Sequence, residues 1–331
     1  MYQVMNLKLD SFISPRIDPL VHPGKRPRCS YILGNQKDLY EICQLNEGLL
    51  SSRINYGGSK VILNDYLKKN NSTLLEDRIP VIAYGTNPCP GQLEYKFKSL
   101  ANSIVPVIKG NIKGWDTVYK FIFRGGYAYA QLIPSKNTSI EAWITLLDQV
   151  QFELMNKSEG ISSENSVYKV GIFQDFYFDG LNIRSLFYAA NKKILVSPKI
   201  GNYVNTPVSI LEIPAENRRF PALNQIDILN HSIKIFHLEE IFERYKNSFL
   251  PFTGSYGEQL ARFLCHNYNL EQSGEKCNSA YIPIVNKIQD ISGKMHCKEI
   301  PVSQVLELKK TILENPNKTP FKTGDVWGRM E

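Results

Sequence analysis

No run of apolar residues in this chain approaches the roughly 20 needed to cross a bilayer, so a membrane-spanning helix is not expected. A CxxC pair is also absent. The six cysteines, Cys29, Cys43, Cys89, Cys265, Cys277 and Cys297, are scattered over 331 residues, which fits reduced thiols better than a disulfide framework. The first residues lack a basic start followed by an apolar run and a cleavage site, and Asp10 interrupts them, so no secretory leader is expected. There is no internal repeat and no low-complexity tract. Basic clusters are short, such as Lys25-Arg26-Pro27-Arg28 and Arg218-Arg219, and the net charge of +7 is spread as single residues. A nucleic-acid groove would need a cluster confined to one face, so nucleic acid is not the expected partner. Together these absences point to a soluble cytoplasmic protein.

What is present is ordinary for a folded domain: 43% hydrophobic and 21% charged residues, in a chain long enough for two or three domains. Residues 1–30 carry Pro15, Pro19, Pro23 and Pro27 and read as an extended arm rather than a helix. Leu39, Ile42, Leu45 and Leu49 fit one helix face over 36–50, with Asn35 as a cap. Val61, Ile62, Tyr66 and Leu67 predict a second helix after Tyr56-Gly57-Gly58. Residues 1–77 thus read as an N-terminal extension.

The middle of the chain is β-rich. Strands are expected at 79–84, 103–109 (broken by Gly110), 118–123, 127–133, 141–147, 167–173 and 181–189. A loop or helix is expected over 90–100 and a short helix over 147–155. Short strands at even spacing with few helices between them suggest a small mixed β-barrel or closed sheet over 78–200, an α+β fold. The remainder, 201–331, reads as mainly helical. Segments 238–245 and 258–266 form helices, as does 303–315, which Pro316 ends, and 319–331 is a polar tail.

Two stretches carry chemistry. The apolar run Val81-Ile82-Ala83 ends in Tyr84-Gly85-Thr86-Asn87, where glycine lets successive N–H groups converge and Thr86 and Asn87 add side-chain donors. Such a turn suits a carboxylate or a developing oxyanion, although a ligand-free strand turn has the same composition. The second stretch runs from Leu147-Asp148 to Glu159-Gly160 and then Tyr168. A partly desolvated glutamate suits general acid–base work near neutral pH, whereas a solvated one is merely surface.

In order and spacing these stretches resemble the γ-glutamylcyclotransferase-like superfamily. The likeness lies in Tyr84-Gly85-Thr86-Asn87 after an apolar strand, Gly114-Trp115 before Phe121 and Phe123, Leu147-Asp148, Glu159-Gly160 before Tyr168, and Asp179-Gly180-Leu181 to Tyr188. It covers residues 79–190. The resemblance implies a small mixed β-barrel flanked by helices, with Tyr84, Gly85, Thr86, Asn87 and Tyr168 binding substrate and Glu159 as the acid/base. It implies cyclisation of a γ-glutamyl amine or amide to 5-oxoproline with release of the amine. No metal or organic cofactor is implied. The chain departs from the pattern at Pro88-Cys89-Pro90, where the family continues with an apolar residue, and in its long interval from Asp148 to Glu159, in which Glu153 is a rival carboxylate. Prolines at 88 and 90 remove donors from the loop. The same residues leave open a non-catalytic small-molecule or protein-binding module on the barrel, and an amide hydrolase or acyltransferase. A protein partner would engage the N- or C-terminal region.

Other candidates rank lower. Cys265-His266, Cys277 and His296-Cys297 are of zinc-ligand type, but their spacing does not match compact zinc modules. Cys89 adjoins the loop without a neighbouring His or Lys to activate it. Asn202, Tyr203 and Asn205, or Arg218, Arg219 and Phe220, would supply substrate contacts only if the C-terminal part folded over the site.

Overall fold

The computed structural model describes residues 7–35, 37–43, 48–120, 125–161, 168–178, 181–190, 196–235, 237–248 and 255–273. The helix expected over 303–315 and the tail after it lie outside these residues, as do Cys277, His296 and Cys297.

The first part is a long arm with two short 3₁₀ turns, Leu9–Ser11 and Pro19–Val21, and a short strand β1 (Leu7–Lys8). It continues into β2 (Tyr31–Leu33), β3 (Asp38–Cys43), β4 (Arg53–Tyr56), β5 (Ser59–Ile62) and α1 (Leu63–Lys69). Next come β6 (Ile79–Ala83), α2 (Pro90–Phe97), β7 (Val105–Lys120), β8 (Tyr129–Leu147), α3 (Gln149–Ser158), β9 (Tyr168–Phe178) and β10 (Leu181–Ala190). Short strands follow: β11 (Val196–Ile200), β12 (Tyr203–Pro207), β13 (Ser209–Ile210), β14 (Ala215–Glu216) and β15 (Ala222–Leu223). The helices α4 (Gln225–Ile235), α5 (Glu239–Ser248) and α6 (Tyr256–Ser273) close the described chain and pack on one another.

Thirteen strands form one mixed sheet, ordered β14-β8-β6-β10-β9-β7-β2-β3-β4-β5 along its main path. This α+β architecture is larger than the expected small closed barrel. The cross-links that could close a ring, β6 with β10 and β7 with β9, are only two register pairs each. The dominant feature is instead the long antiparallel pairing of β7 with β8. Strands β2 to β5 then extend the sheet beyond the β7 edge.

Four expectations are corrected here. Residues 38–43 form a strand, not a helix. Leu39 and Ile42 are buried, yet the backbone of this segment pairs with β2 and β4, and Tyr40 packs edge-on against Tyr56 and Tyr66. Tertiary pairing overrides a three-residue apolar spacing that either element can satisfy. Similarly, Val61 and Ile62 belong to β5, and the helix begins at Leu63. Gly110 does not end a strand, because it pairs with Ala142 inside the ladder. The irregularity falls at Gly114, whose φ of 81° accompanies a register shift between Lys113 and Trp115. A left-handed residue there bulges the strand without terminating it. The segments expected as separate strands at 103–109 and 118–123 are therefore one strand as far as Lys120, and 127–133 and 141–147 are one strand from Tyr129.

β6 is buried at all five residues, with Trp143, Phe97, Phe152 and Phe187 filling the core around it. Beside β6, Arg78 is wholly buried. It donates to the carbonyls of Thr73, Ile104 and Leu146, to Ser72 Oγ and to Gln151 Oε1. One guanidinium thus gathers the ends of β6, β7 and β8 and the first turn of α3. Among the described residues no helix is long and apolar enough to cross a membrane.

The arm docks on the segment that follows β6. A Cβ on Gly91 would stand 1.8 Å from the Phe12 carbonyl oxygen, so only glycine admits the arm at this point. Gly91→Ala is expected to lower stability by about 1–3 kcal/mol and to speed proteolysis within residues 12–24. Urea unfolding and limited digestion check both; unchanged digestion of the arm would contradict the docking.

Candidate active site

The loop 84–87 begins where β6 leaves the sheet. Its amide N–H groups at Gly85, Thr86 and Asn87 have no acceptor among the described residues. A side chain at Gly85 would press on Ala130, its Cβ lying 3.0 Å from that methyl group, so glycine keeps the loop against β8. The prolines do not fill the loop. Pro88 and Pro90 are buried away from the cavity, the Pro88 carbonyl accepts from Tyr31 Oη at 2.8 Å, and Pro90 starts α2, where a missing N–H is harmless. The Cys89 thiol points at the Phe12 and Ile13 carbonyls, and burial raises its pKa. It lies outside the cavity lining, which removes it as a nucleophile there.

Glu159 arrives on α3. Asp148 of the Leu-Asp pair is the N-cap of this helix and forms a capping box with Gln151. Eleven residues later Glu159 is the C-cap, and Gly160 leaves the helix at φ 72°. The Asp-to-Glu interval is long because it holds a whole helix. The rival Glu153 lies on the exposed face of that helix, accepting from Gln149 Nε2 at 2.7 Å.

The two stretches meet. Glu159 Oε1 accepts from Asn87 Nδ2 at 3.2 Å and from Lys96 Nζ at 2.7 Å, and Lys96 also donates to Asn87 Oδ1 at 2.8 Å. The side chains are largely sheltered, with relative exposures of 7% for Lys96 and 16% for Glu159. Glu159 Oε2 has no partner among the described residues. Burial lowers the Lys96 pKa, and the Glu159 charge opposes that shift. The arrangement is a cavity-lining carboxylate with one oxygen held by a cation and an amide and the other unpaired among the described residues.

The cavity is small, about 50 Å³. Its walls are Tyr84, Tyr127, Tyr129, Tyr168 and Tyr188, with Gln92 and Lys96 from α2 and Arg16 and His22 from the arm. Tyr84 Oη donates to the Tyr188 carbonyl, Tyr168 Oη to the Ala130 carbonyl at 2.8 Å, and Tyr188 Oη to Asn156 Oδ1 at 2.8 Å. Burial raises the pKa of all three phenols, and Glu159 adds to the effect, so they remain protonated. Tyr84 and Tyr168 therefore serve as walls whose hydroxyl protons are already committed. Thr86 Oγ1 makes no hydrogen bond among the described residues, while the Thr86 carbonyl accepts from the Cys89 N–H at 3.0 Å.

All the sequence-derived site residues, Tyr84, Gly85, Thr86, Asn87, Glu159 and Tyr168, line this cavity. Lys96, Arg16, His22, Gln92, Tyr127, Tyr129 and Tyr188 were not foreseen. Lys96 had one legible signal: it falls on the helix directly after the loop. The arm residues had none, because their approach is a long-range contact. The C-terminal candidates lie elsewhere. Arg218 pairs with buried Asp116 at 3.3 Å, and Tyr203 is exposed on β12. No group of three metal-ligating side chains occurs among the described residues.

No family model matches the chain, and no curated protein matches it. Two solved structures are similar to it at a low TM-score. One is a gamma-glutamyl cyclotransferase, at 12% identity and a TM-score of 0.31, with 56% of this chain and 97% of that one covered. Another is the uncharacterized protein loc79017 from Homo sapiens, at 13% identity and 0.31, with 57% and 98% covered.

His22 generates a prediction. Its ring stacks on Tyr127 at 4.8 Å, and among the described residues neither nitrogen makes a well-formed hydrogen bond. Burial pushes its pKa down to about 3, the Arg26 charge adds to this, and Gln225 opposes it. A folded-state pKa below the unfolded value of about 6.5 gives stability that is complete above pH 6.5 and lost as pH falls toward 3. Wild-type protein is expected to lose about 2 kcal/mol between pH 7 and 5 from this residue, and His22→Phe to lose correspondingly less. Urea unfolding at both pH values checks the difference; identical slopes would contradict it.

Proposed function

We propose that the protein is a γ-glutamylcyclotransferase-like enzyme that cyclises a γ-glutamyl amine or amide to 5-oxoproline and releases the amine, with Glu159 as general acid/base. The observation carrying this reading is that Glu159 lines the same cavity as Gly85, Thr86 and Asn87, with its Oε2 and the three loop amides unpaired among the described residues. The substrate's α-ammonium gives a proton to Glu159 Oε2. The freed amine attacks the γ-carbonyl carbon of the same molecule, closing a five-membered ring. The oxyanion formed there is held by the Asn87 N–H. Collapse breaks the bond to the leaving nitrogen, which takes the proton back from Glu159, and the ring nitrogen gives up its second proton through the same carboxylate, so the amine departs as its ammonium and the lactam nitrogen is neutral. The nucleophile belongs to the substrate itself, so positioning supplies much of the rate and one carboxylate suffices for the proton traffic. Lys96 holds the other carboxylate oxygen in place.

The same contact favours a second reading. A Glu159 already paired at 2.7 Å, in a cavity of about 50 Å³, also suits a binding module without turnover. An amide hydrolase on the same groups would release glutamate instead. Incubation with γ-glutamyl amines distinguishes all three: 5-oxoproline is expected, free glutamate marks hydrolysis, and no product marks the binding module. Glu159→Gln is expected to lower turnover by on the order of 10²–10⁴-fold while leaving the unfolding transition cooperative. Retained turnover would remove Glu159 from the mechanism.

A further inference from the structure

The face of loop 84–87 turned away from the cavity is held by a cation. Arg26 Nη2 donates to the Gly85 carbonyl at 2.7 Å and to the Tyr84 carbonyl at 3.5 Å. Arg26 does not line the cavity, and it makes no ion pair among the described residues. Its Nε is buried without a partner, and Glu141 and Glu212 act on it only through space. In a trans peptide the carbonyl and the following N–H point in opposite directions. Holding the Tyr84 and Gly85 carbonyls on the arm side therefore turns the Gly85 and Thr86 N–H groups to the other side. Both residues line the cavity, and neither N–H has an acceptor. A positive charge at the oxygen end of a peptide dipole also polarises its N–H, making it a stronger donor.

The arm that carries Arg26 is fixed along the same segment. Ser14 Oγ donates to Gln92 Oε1 at 2.6 Å, Phe12 abuts Gly91, and Gly24 sits against Cys89. The arm is thus anchored on the segment that directly follows the loop.

We propose that Arg26 is a positioning residue that makes loop 84–87 a carboxylate site, with the carboxylate received on the Gly85 and Thr86 amides. The inference rests on the reading above only for the substrate's identity, since a γ-glutamyl group brings an α-carboxylate.

The test uses the full chain, ¹⁵N-labelled, with three probes: acetate, 5-oxoproline and the neutral carboxamide of 5-oxoproline. In wild-type protein acetate is expected to shift the Gly85 and Thr86 amide resonances, and 5-oxoproline to bind tighter than its carboxamide by on the order of tenfold. In Arg26→Met the ratio of the two affinities falls to near one, and Arg26→Lys recovers part of it. A merely structural role would weaken both compounds together and leave the ratio in place. Absence of acetate-induced shifts at Gly85 and Thr86, or an unchanged ratio in Arg26→Met, overturns the proposal. If Arg26→Met does not fold, the wild-type acetate titration and the Arg26→Lys ratio decide. Should acetate shift these amides in an Arg26-dependent way while 5-oxoproline fails to bind, the cyclotransferase reading falls and the carboxylate site stands.

Discussion

The Lys96 ammonium is the contact on which the site depends. It bonds Asn87 from the loop after β6 and Glu159 from the end of α3, and so joins two segments that approach from different parts of the sheet. The charges are sheltered, so neither partner is dispensable: a buried pair broken on one side typically costs about 3–5 kcal/mol, because the remaining charge has no water to replace its partner. The same pairing leaves one oxygen of Glu159 available. That second oxygen, unpaired among the described residues, is the one to which the proposed reaction assigns the proton.

Around this contact the chain spends its buried polar groups on geometry. Arg78 draws together strand ends and the first turn of α3, which sets where that helix ends and hence where Glu159 stands. The Asp148 capping box fixes the start of the helix and the glycine at 160 fixes its end. On the opposite side the N-terminal arm replaces solvent as the backing of the loop. It also brings Arg16 and His22 to the cavity. Residues 7–77 thus share the sheet and the core with the β-rich middle.

Local chemistry made much of this legible in the sequence. An apolar run ending at Tyr84-Gly85 reads correctly as a strand and turn, because burial and glycine act on neighbouring residues. The Leu-Asp pair and the Glu-Gly pair mark the two ends of one helix, although only the first part of that helix was evident from apolar spacing. What was not legible is long-range. The pairing of residues 38–43 with β2 and β4 overrode a helical spacing. Gly110 looked like a break but lies within a ladder whose partner strand is supplied later in the chain. Arg26 and Gly91 gain their meaning only from residues dozens of positions away, and Lys96 from Glu159 as well as from nearby Asn87. A small closed barrel was expected because strand spacing reports strand number, not the length of the β7–β8 pairing or the strands added beyond it.

The most direct test of the account is a crystal structure of the full chain grown with 5-oxoproline. The account predicts the lactam in the tyrosine-walled cavity, with its carboxylate on the Gly85 and Thr86 amides and its ring nitrogen within hydrogen-bond distance of Glu159 Oε2. A ligand bound elsewhere, or one in the cavity that leaves both the loop amides and Glu159 Oε2 untouched, would contradict it.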